Sequence, residues 1–162
     1  MINLHELTVR DAYSLDPGHS LLVGPDEDFP QIIEHFADVP ELRGIFVTDA
    51  DQCLLGVITR TDLLDWANAR LAPFLRVTYS STERTIRLST LVNALTAEQV
   101  MVPDSHRAAV KLDDSLAHSL QLMIQLNLVV LPVVDDTNHV VGDLRLSELL
   151  ARVIGESAKS VR

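Results

Sequence analysis

The chain has 162 residues, 47% of them apolar, and a formal net charge of −10 at pH 7. This length and apolar fraction are those of an ordinary globular protein, with room for one domain or for two small units that share a core. The negative charge argues against a nucleic-acid-binding surface, which requires a basic stripe, and against electrostatic adhesion to anionic lipids.

Cysteine content and hydropathy predict a soluble cytoplasmic protein. Cys53 is the only cysteine, which excludes an internal disulfide and a cysteine cluster for zinc. The N-terminus has no basic segment followed by an apolar one, so no signal peptide is expected. The longest apolar run, at residues 128–134, is too short to span a membrane. The six histidines lack metal-binding spacings, so we expect no metal site.

The first half of the chain predicts a strand, a helix, a hairpin and a second helix. After an opening segment at residues 7–13, a short apolar run at 21–23 indicates a strand. The acidic residues at 26–28 suit a helix N-terminus, and apolar residues then recur at helical spacing. Residues 42–64 have the pattern of a buried strand, a polar turn, a second buried strand and the start of a helix that continues to about Leu71.

The middle of the chain is basic although the chain as a whole is acidic. Residues 70–87 contain four arginines and one acid, Glu83. Apolar residues that could line one side of a short helix follow: Ile86, Leu88, Leu91, Val92 and Leu95. Two interpretations stay open. The segment is a covering helix whose arginines balance neighbouring acids, or it contacts an anion or a partner. We expect it to pack across its own module or dimer, because its apolar spacing favours docking.

The second half of the chain repeats the first. A shift of 86 residues places Asp49 on Asp135 and Gly56 on Gly142, and the opening segments at 7–13 and 95–101 correspond at an offset of 88. Each copy therefore predicts strand, helix, strand, strand and helix. In the second copy the first strand is expected at residues 108–110 and the last helix from Ser147 to about Ile154.

This repeat predicts how the chain is divided. Repeat 1 is expected at residues 1–72, a linker with a short helix at 73–94, and repeat 2 at 95–162. A unit of about 60 residues buries little core alone. We therefore expect the two sheets to pack together.

One motif occurs in register in both copies, and a second is intact in the first copy only. An apolar strand ends in an acid in IFVTD at residues 45–49 and in LPVVD at 131–135, and GVITRTD at 56–62 has the pattern G-x-hydrophobic-[ST]-x-x-D. With these motifs, nearly the whole chain resembles the cystathionine beta-synthase (CBS) domain pair. The resemblance implies an α/β (α+β) fold, in which two strand-helix-strand-strand-helix CBS repeats pack with pseudo-two-fold symmetry as a Bateman module. Such modules usually dimerise and often bind adenosine compounds in the cleft between repeats.

Thr59 and Asp62 are the first candidate ligand-binding residues. From the residues alone, Thr-x-x-Asp is close to a capping box that satisfies free amides at a helix start. The resemblance adds a ligand role, in which the Asp62 carboxylate accepts hydrogen bonds from ribose hydroxyls and the Thr59 hydroxyl meets ribose or phosphate. Arg60 could reach a phosphate or face solvent, and a helix N-terminus itself favours a phosphate.

The resemblance also implies an adenine pocket just before the second strand of the first copy. It maps to Leu42, Arg43, Gly44 and Ile45, with Tyr13 and Ser14 nearby. Gly44 could instead relieve crowding against a neighbouring strand, and Tyr13 could be a half-buried core residue.

The second copy departs from the motif. Arg145 stands where Thr59 does and Glu148 where Asp62 does, beside Val130 and Leu131. This predicts a degenerate second site in which Arg145 and Glu148 pair with each other when no ligand is bound. We expect the first cleft to be preferred.

The sequence as a whole predicts a stand-alone regulatory module that binds AMP, ADP, ATP or S-adenosylmethionine. The alternative is a structural dimerisation or docking module with no small-molecule ligand. No phosphate-binding, dinucleotide-binding or hydrolase motif is present, so no enzyme activity and no cofactor are expected. The expected partners are a second copy of the chain and an unidentified regulated protein, without nucleic acid or membrane.

Overall fold

The computed structural model describes residues 4–13, 20–75 and 90–160. In chain order the elements are helix α1 (Val9–Ala12), strand β1 (Ser20–Val23), α2 (Phe29–Asp38), β2 (Gly44–Thr48), β3 (Leu54–Thr59), α3 (Arg60–Leu75), α4 (Ala97–Val100), a 3-10 helix (Ser105–Ala108), α5 (Leu116–Leu126), β4 (Val130–Val134), β5 (Val140–Arg145) and α6 (Leu146–Ser160). The predicted mixture of helices and strands is confirmed.

The first copy has the predicted strand-helix-strand-strand-helix order. Its sheet has the order β1-β2-β3, with β1 parallel and β3 antiparallel to β2. Between β1 and β2, α2 buries Phe29, Ile32 and Phe36 at helical spacing, and Pro30 occupies its first turn, where a missing N–H costs nothing. The helix closes over the sheet because its apolar side chains face the fully buried strand β2.

The second copy lacks the predicted first strand. Residues 105–108 form the 3-10 helix, and only Val110 forms a bridge, which is parallel to Val133. Val110 donates to Pro132 O at 3.0 Å and accepts from Val134 N at 2.9 Å. A parallel ladder that continued from Val110 back towards residue 108 would need a hydrogen bond donated by the backbone N–H of residue 132. Residue 132 is a proline and has no N–H. The strand prediction at 108–110 was therefore wrong except at Val110.

Both hairpins turn as the polar residues predict. Gln52 and Asn138 take the left-handed conformation, with φ of 64° and 66°. The Asp49 carboxylate accepts hydrogen bonds from the backbone N–H groups of Asp51 and Cys53, and Asp135 accepts equivalent bonds in the second copy. Local hydrogen bonds from aspartate to the backbone stabilise these turns.

The opening segments are exchanged between the copies. In the segment before β1, Val9 N donates to Asp114 O at 2.8 Å, and Val9 is buried in the core of the second copy. In the segment before the 3-10 helix, Ala97 N donates to Glu27 O at 2.9 Å, and Ala97 is buried in the core of the first copy. Each of the two cores therefore contains residues from both repeats.

The linker is described only from residue 90 onward, so the expected packing of residues 76–89 lies outside the described residues. Leu91 is fully buried in the first core, whereas Val92 and Leu95 are 40% and 65% exposed. Leu91, Val92 and Leu95 therefore do not lie together on the single apolar helix face that the sequence predicts. Before the linker, the Arg70 guanidinium donates to Val92 O at 2.6 Å and lies over the Trp66 ring.

None of the helices in the described part of the chain is both long enough and apolar enough to cross a membrane.

Candidate functional site

The two copies pack closely against each other where β2 and β4 begin. A Cβ atom added to Gly44 would lie 2.9 Å from Val130 Cγ1, closer than a real Cβ contact allows. Glycine is therefore required at position 44 because the two strands pack against each other there. This supports the interpretation that Gly44 relieves crowding.

A cleft of about 490 Å³ opens beside this contact. The first copy contributes Leu42, Arg43 and Thr59 to its lining, and the second copy contributes Asn127 and Val129. The first turn of α3 also lies on the cleft. A molecule bound here would touch both repeats.

Thr59 and Asp62 form a capping box at the start of α3. The Thr59 backbone N–H donates to Asp62 Oδ2 at 2.7 Å, and the Thr59 hydroxyl donates to the same oxygen at 3.1 Å. Thr59 lines the cleft, and Asp62, only 3% exposed, is held against it. The capping role considered from the sequence is thus present, and a ribose would share Asp62 with Thr59.

Arg60 has a structural role at the rim of the cleft. Its Nη2 donates to three backbone carbonyls at the end of α2, those of Phe36, Val39 and Pro40, at 3.0–3.3 Å. Its guanidinium also lies 5.2 Å from the centre of the Phe36 ring. Cations at a helix C-terminus satisfy its free carbonyls. The side chain is therefore held by α2, which neither of the two sequence interpretations described.

Arg43 is differently placed. It is exposed, it lines the cleft, and no described residue forms a hydrogen bond or ion pair with it. Its guanidinium is therefore available to a ligand.

Two other residues predicted for the adenine pocket, Ile45 and Tyr13, do not line the cleft. Ile45 is 0% exposed and belongs to the first core, so its role as a ligand contact stays a prediction. Tyr13 packs on Gly142 of the second copy and donates to Val141 O at 3.0 Å, as a half-buried core residue does. Burial, followed by the charge of Asp143, raises the pKa of Tyr13. Ser14 lies outside the described residues.

Asn127 and Val129 are the cleft residues that the sequence interpretation missed. The offset of 86 residues relates Glu41 to Asn127 and Arg43 to Val129. All four line the cleft, so equivalent positions of the two repeats meet across it. The repeat offset could have identified them, had it been combined with the contact between β2 and β4.

At the second motif, Arg145 and Glu148 form the predicted pair. The Arg145 backbone N–H donates to Glu148 Oε2 at 3.1 Å, and the guanidinium Nη2 binds Oε1 of the same carboxylate. The two side chains are 16% and 18% exposed. Val130 and Leu131, predicted beside them as ligand contacts, are both fully buried in the second core, and their contact with a ligand stays a prediction.

No group of three histidine, cysteine, aspartate or glutamate side chains in the described ranges could hold a metal ion. The thiol of Cys53 is free. Desolvation and the carboxylates of Asp49, Asp51 and Asp135 raise its pKa, which disfavours the reactive thiolate.

Comparison with known proteins identifies the fold. The profile of the CBS domain family matches residues 7–69 and 97–155, which is more than half of the chain. The chain belongs to the CBS-domain family. Among proteins with curated descriptions, no significant sequence match was found.

Solved CBS-domain structures share the whole architecture. CBSX2 from Arabidopsis thaliana, solved in complex with AMP, is 20% identical and has a TM-score of 0.68, over 93% of this chain and 99% of that one. A CBS domain-containing protein from Thermotoga maritima is 26% identical, with a TM-score of 0.66 over 90% and 93% of the two chains. A CBS domain pair solved with 5'-methylthioadenosine and S-adenosyl-L-methionine is 20% identical, with a TM-score of 0.58 over 93% and 97%.

Proposed function

We propose that this CBS-domain pair is a regulatory module that reversibly binds an adenosine ligand in the cleft beside Thr59 and Asp62. The ligand candidates are AMP, ADP, ATP and S-adenosylmethionine. The observation that carries the proposal is the cleft of about 490 Å³, which both repeats line and which Thr59 and the start of α3 bound on one side. The complexes of similar CBS proteins with AMP and with S-adenosyl-L-methionine support it.

The chemistry of the lining suits such a ligand. Val129, which is 55% exposed, offers apolar surface from the second repeat to a flat base, and Leu42 of the first repeat lines the same cleft at 4% exposed. The Thr59 hydroxyl and the Asp62 carboxylate suit the hydroxyls of a ribose, since a carboxylate makes strong charge-assisted hydrogen bonds. The free amides at the start of α3 suit an anionic group. The ligand would contact both repeats. Binding would therefore change the position of one repeat relative to the other, and with it the surface that is presented to a partner protein.

We propose that the chain acts on another protein without catalysis of its own. In this proposal the chain consists of two repeats, at residues 1–72 and 95–162, joined by a linker at 73–94. It forms a homodimer in the cytoplasm and regulates a protein that is unidentified. A free cysteine suits a reducing compartment. The formal charge of −10 disfavours nucleic acid and anionic membranes as partners. No cofactor is assigned.

One observation favours a second function, a docking module with an empty cleft. Both hydrogen bonds from Thr59 to the Asp62 carboxylate are formed without a ligand. The motif could therefore be kept for the stability of α3 alone.

Calorimetry and thermal melting with AMP, ATP and S-adenosylmethionine separate the two functions. A ligand bound only to the folded chain stabilises it by about 2.7 kcal/mol at a hundred times its dissociation constant. GMP, with the same phosphate and ribose on another base, is the control. We expect at least one adenosine compound to raise the melting temperature more than GMP does. If none does so at millimolar concentration, the docking function replaces the proposal.

A further inference from the structure

The charges around the cleft distinguish between adenosine ligands. Among the described residues that line it, two are cationic, Arg43 and Arg60, and one is anionic, Glu41. This basic surface occurs on a chain with a formal charge of −10. Asp62 adds a carboxylate behind Thr59, but it is 3% exposed and accepts two hydrogen bonds from Thr59.

The two arginines differ in what they can bind. The Nη2 group of Arg60 is engaged by three carbonyls at the end of α2, which fixes that side chain. Arg43 precedes β2 directly and has no hydrogen bond or ion pair with any described residue. A guanidinium presents several donors in a plane and binds phosphate oxygens in pairs. Arg43 is therefore the side chain that can meet a phosphate without first breaking a contact of the fold.

The start of α3 adds to the same preference. Thr61 lies in its first turn and lines the cleft with Arg43. In a helix of 16 residues, the first backbone N–H groups are free and the dipole places positive charge at this end. An anion held between Arg43 and this turn is attracted from both sides.

We infer that the cleft selects adenosine ligands with a phosphate group over S-adenosylmethionine, with Arg43 as the residue that determines this specificity. The inference rests on the proposed function, because it concerns the same cleft. A phosphate monoester carries nearly two negative charges at pH 7. In S-adenosylmethionine the 5' carbon of the ribose, which bears the phosphate in AMP, is instead bonded to a positively charged sulfonium sulfur, and this charge would face Arg43.

Calorimetry with AMP, adenosine and S-adenosylmethionine on the full chain and on Arg43→Gln tests the inference. Loss of one charge-assisted hydrogen bond corresponds to about 10- to 150-fold in affinity. We expect AMP to bind the wild type at least tenfold more tightly than adenosine. In Arg43→Gln, AMP should bind at least tenfold more weakly than to the wild type, while adenosine itself binds as before.

Two further variants control for general effects of charge. Glu41→Gln removes the acid beside Arg43 and should strengthen AMP binding by up to about fivefold, the range for an exposed charge pair. Arg107→Gln removes an exposed arginine of the 3-10 helix that does not line the cleft, and should change nothing. Melting curves show whether each variant is folded.

The outcomes separate this inference from the proposed function. If adenosine or S-adenosylmethionine binds the wild type as tightly as AMP, or if Arg43→Gln leaves AMP binding unchanged, the phosphate preference is overturned and adenosine binding stands. If no adenosine compound binds at all, both fail.

Discussion

Asp62 has a structural role that any ligand role must share. Its Oδ2 accepts both the backbone N–H and the hydroxyl of Thr59, in the geometry of a capping box. The chain contains the same arrangement at Thr8 and Asp11, where the two hydrogen bonds are 2.8 and 3.0 Å, on α1 and away from the cleft. A comparison of equivalent substitutions in the two caps therefore distinguishes the effect of losing a helix cap from the effect of losing a ligand contact.

The first prediction uses this pair. Asp62→Asn keeps one oxygen that can accept from Thr59 but loses the charge. We expect it to weaken adenosine-ligand binding about 10- to 150-fold, the effect of a lost charge-assisted hydrogen bond. The matched variant Asp11→Asn should leave ligand binding unchanged. Calorimetry measures both, and unchanged affinity in Asp62→Asn would show that Asp62 is only a helix cap.

Acid pH gives a further check on the control variant. The backbone N–H of Thr8, followed by its hydroxyl, lowers the pKa of Asp11 from its usual value of 3.8. A carboxyl with a lowered pKa stabilises the fold above that value and loses this contribution as the pH falls through its pKa in the folded state. The stability difference between the wild type and Asp11→Asn, followed by urea unfolding, should therefore be present at pH 7 and shrink in acid below pH 3.8.

The second prediction concerns Arg145 and Glu148. Their side chains are 16% and 18% exposed, so removal of either one would leave its partner charged in a largely buried place. The double variant Arg145→Thr with Glu148→Asp restores the first-copy motif, in which a threonine N–H and hydroxyl hold the carboxylate. We expect one site per chain in the wild type and a strengthened second site in the double variant, measured by calorimetric stoichiometry. Two equal sites in the wild type, or a complex with the nucleotide only beside Arg145, would contradict this.

At the scale of elements, the sequence predicts those helices and strands that are determined by the local pattern of apolar and turn residues. Both hairpins and the helices beside them follow from apolar periodicity and turn residues, and the structure has them. The missing strand at 108–110 depends on Pro132, which lies on another strand and removes the N–H that the ladder needs. The absence of this strand could be predicted only if its pairing partner were already known.

The exposed faces of α3 and α6 support the proposed homodimer. Leu64 and Leu150, equivalent at an offset of 86 residues, are 58% and 41% exposed. Each has an exposed apolar neighbour on the same helix face, Leu71 at 47% and Ile154 at 66%. An exposed leucine at an equivalent position in each repeat, with a further apolar residue on the same helix face, suits a self-complementary contact with a second copy.

The third prediction tests this contact. The double variant Leu64→Glu with Leu150→Glu should be monomeric in analytical ultracentrifugation, while the wild type sediments as a dimer, because four charges would be buried at a two-fold interface. Ile124→Glu, on α5 and 72% exposed, is the matched control and should remain dimeric. A dimer that survives the double variant places the interface elsewhere.

At the scale of the whole molecule, the site depends on the contact between the two repeats. The motif predicted Thr59, and the resemblance placed Arg43 at the cleft, because both are defined within one copy. Asn127 and Val129 come from the other copy, and Tyr13 packs on the other copy's hairpin. Neither placement follows from a local pattern, since each depends on how one repeat packs against the other.

The exchange makes the two halves depend on each other. Val9 of the first half is fully buried in the second core, and Leu91, Ala97 and Val100 of the second half are fully buried in the first core. Separating the halves would expose this apolar surface, at about 25 cal/mol for each Å². The connection through residues 76–89 is therefore not needed to hold the halves together once the chain has folded.

The last prediction follows from this. A specific protease site placed between residues 76 and 89 should, when cut, leave both halves in one species on size exclusion, with a single melting transition. Leu91→Ala should lower the free energy of unfolding by about 2–5 kcal/mol, as other buried leucines do, and make the cut halves separate on dilution. Leu95→Ala, 65% exposed, should change stability by less than about 0.5 kcal/mol and keep the cut halves together. Two separately folded halves after cleavage would show that each repeat is stable without the exchanged segment of the other.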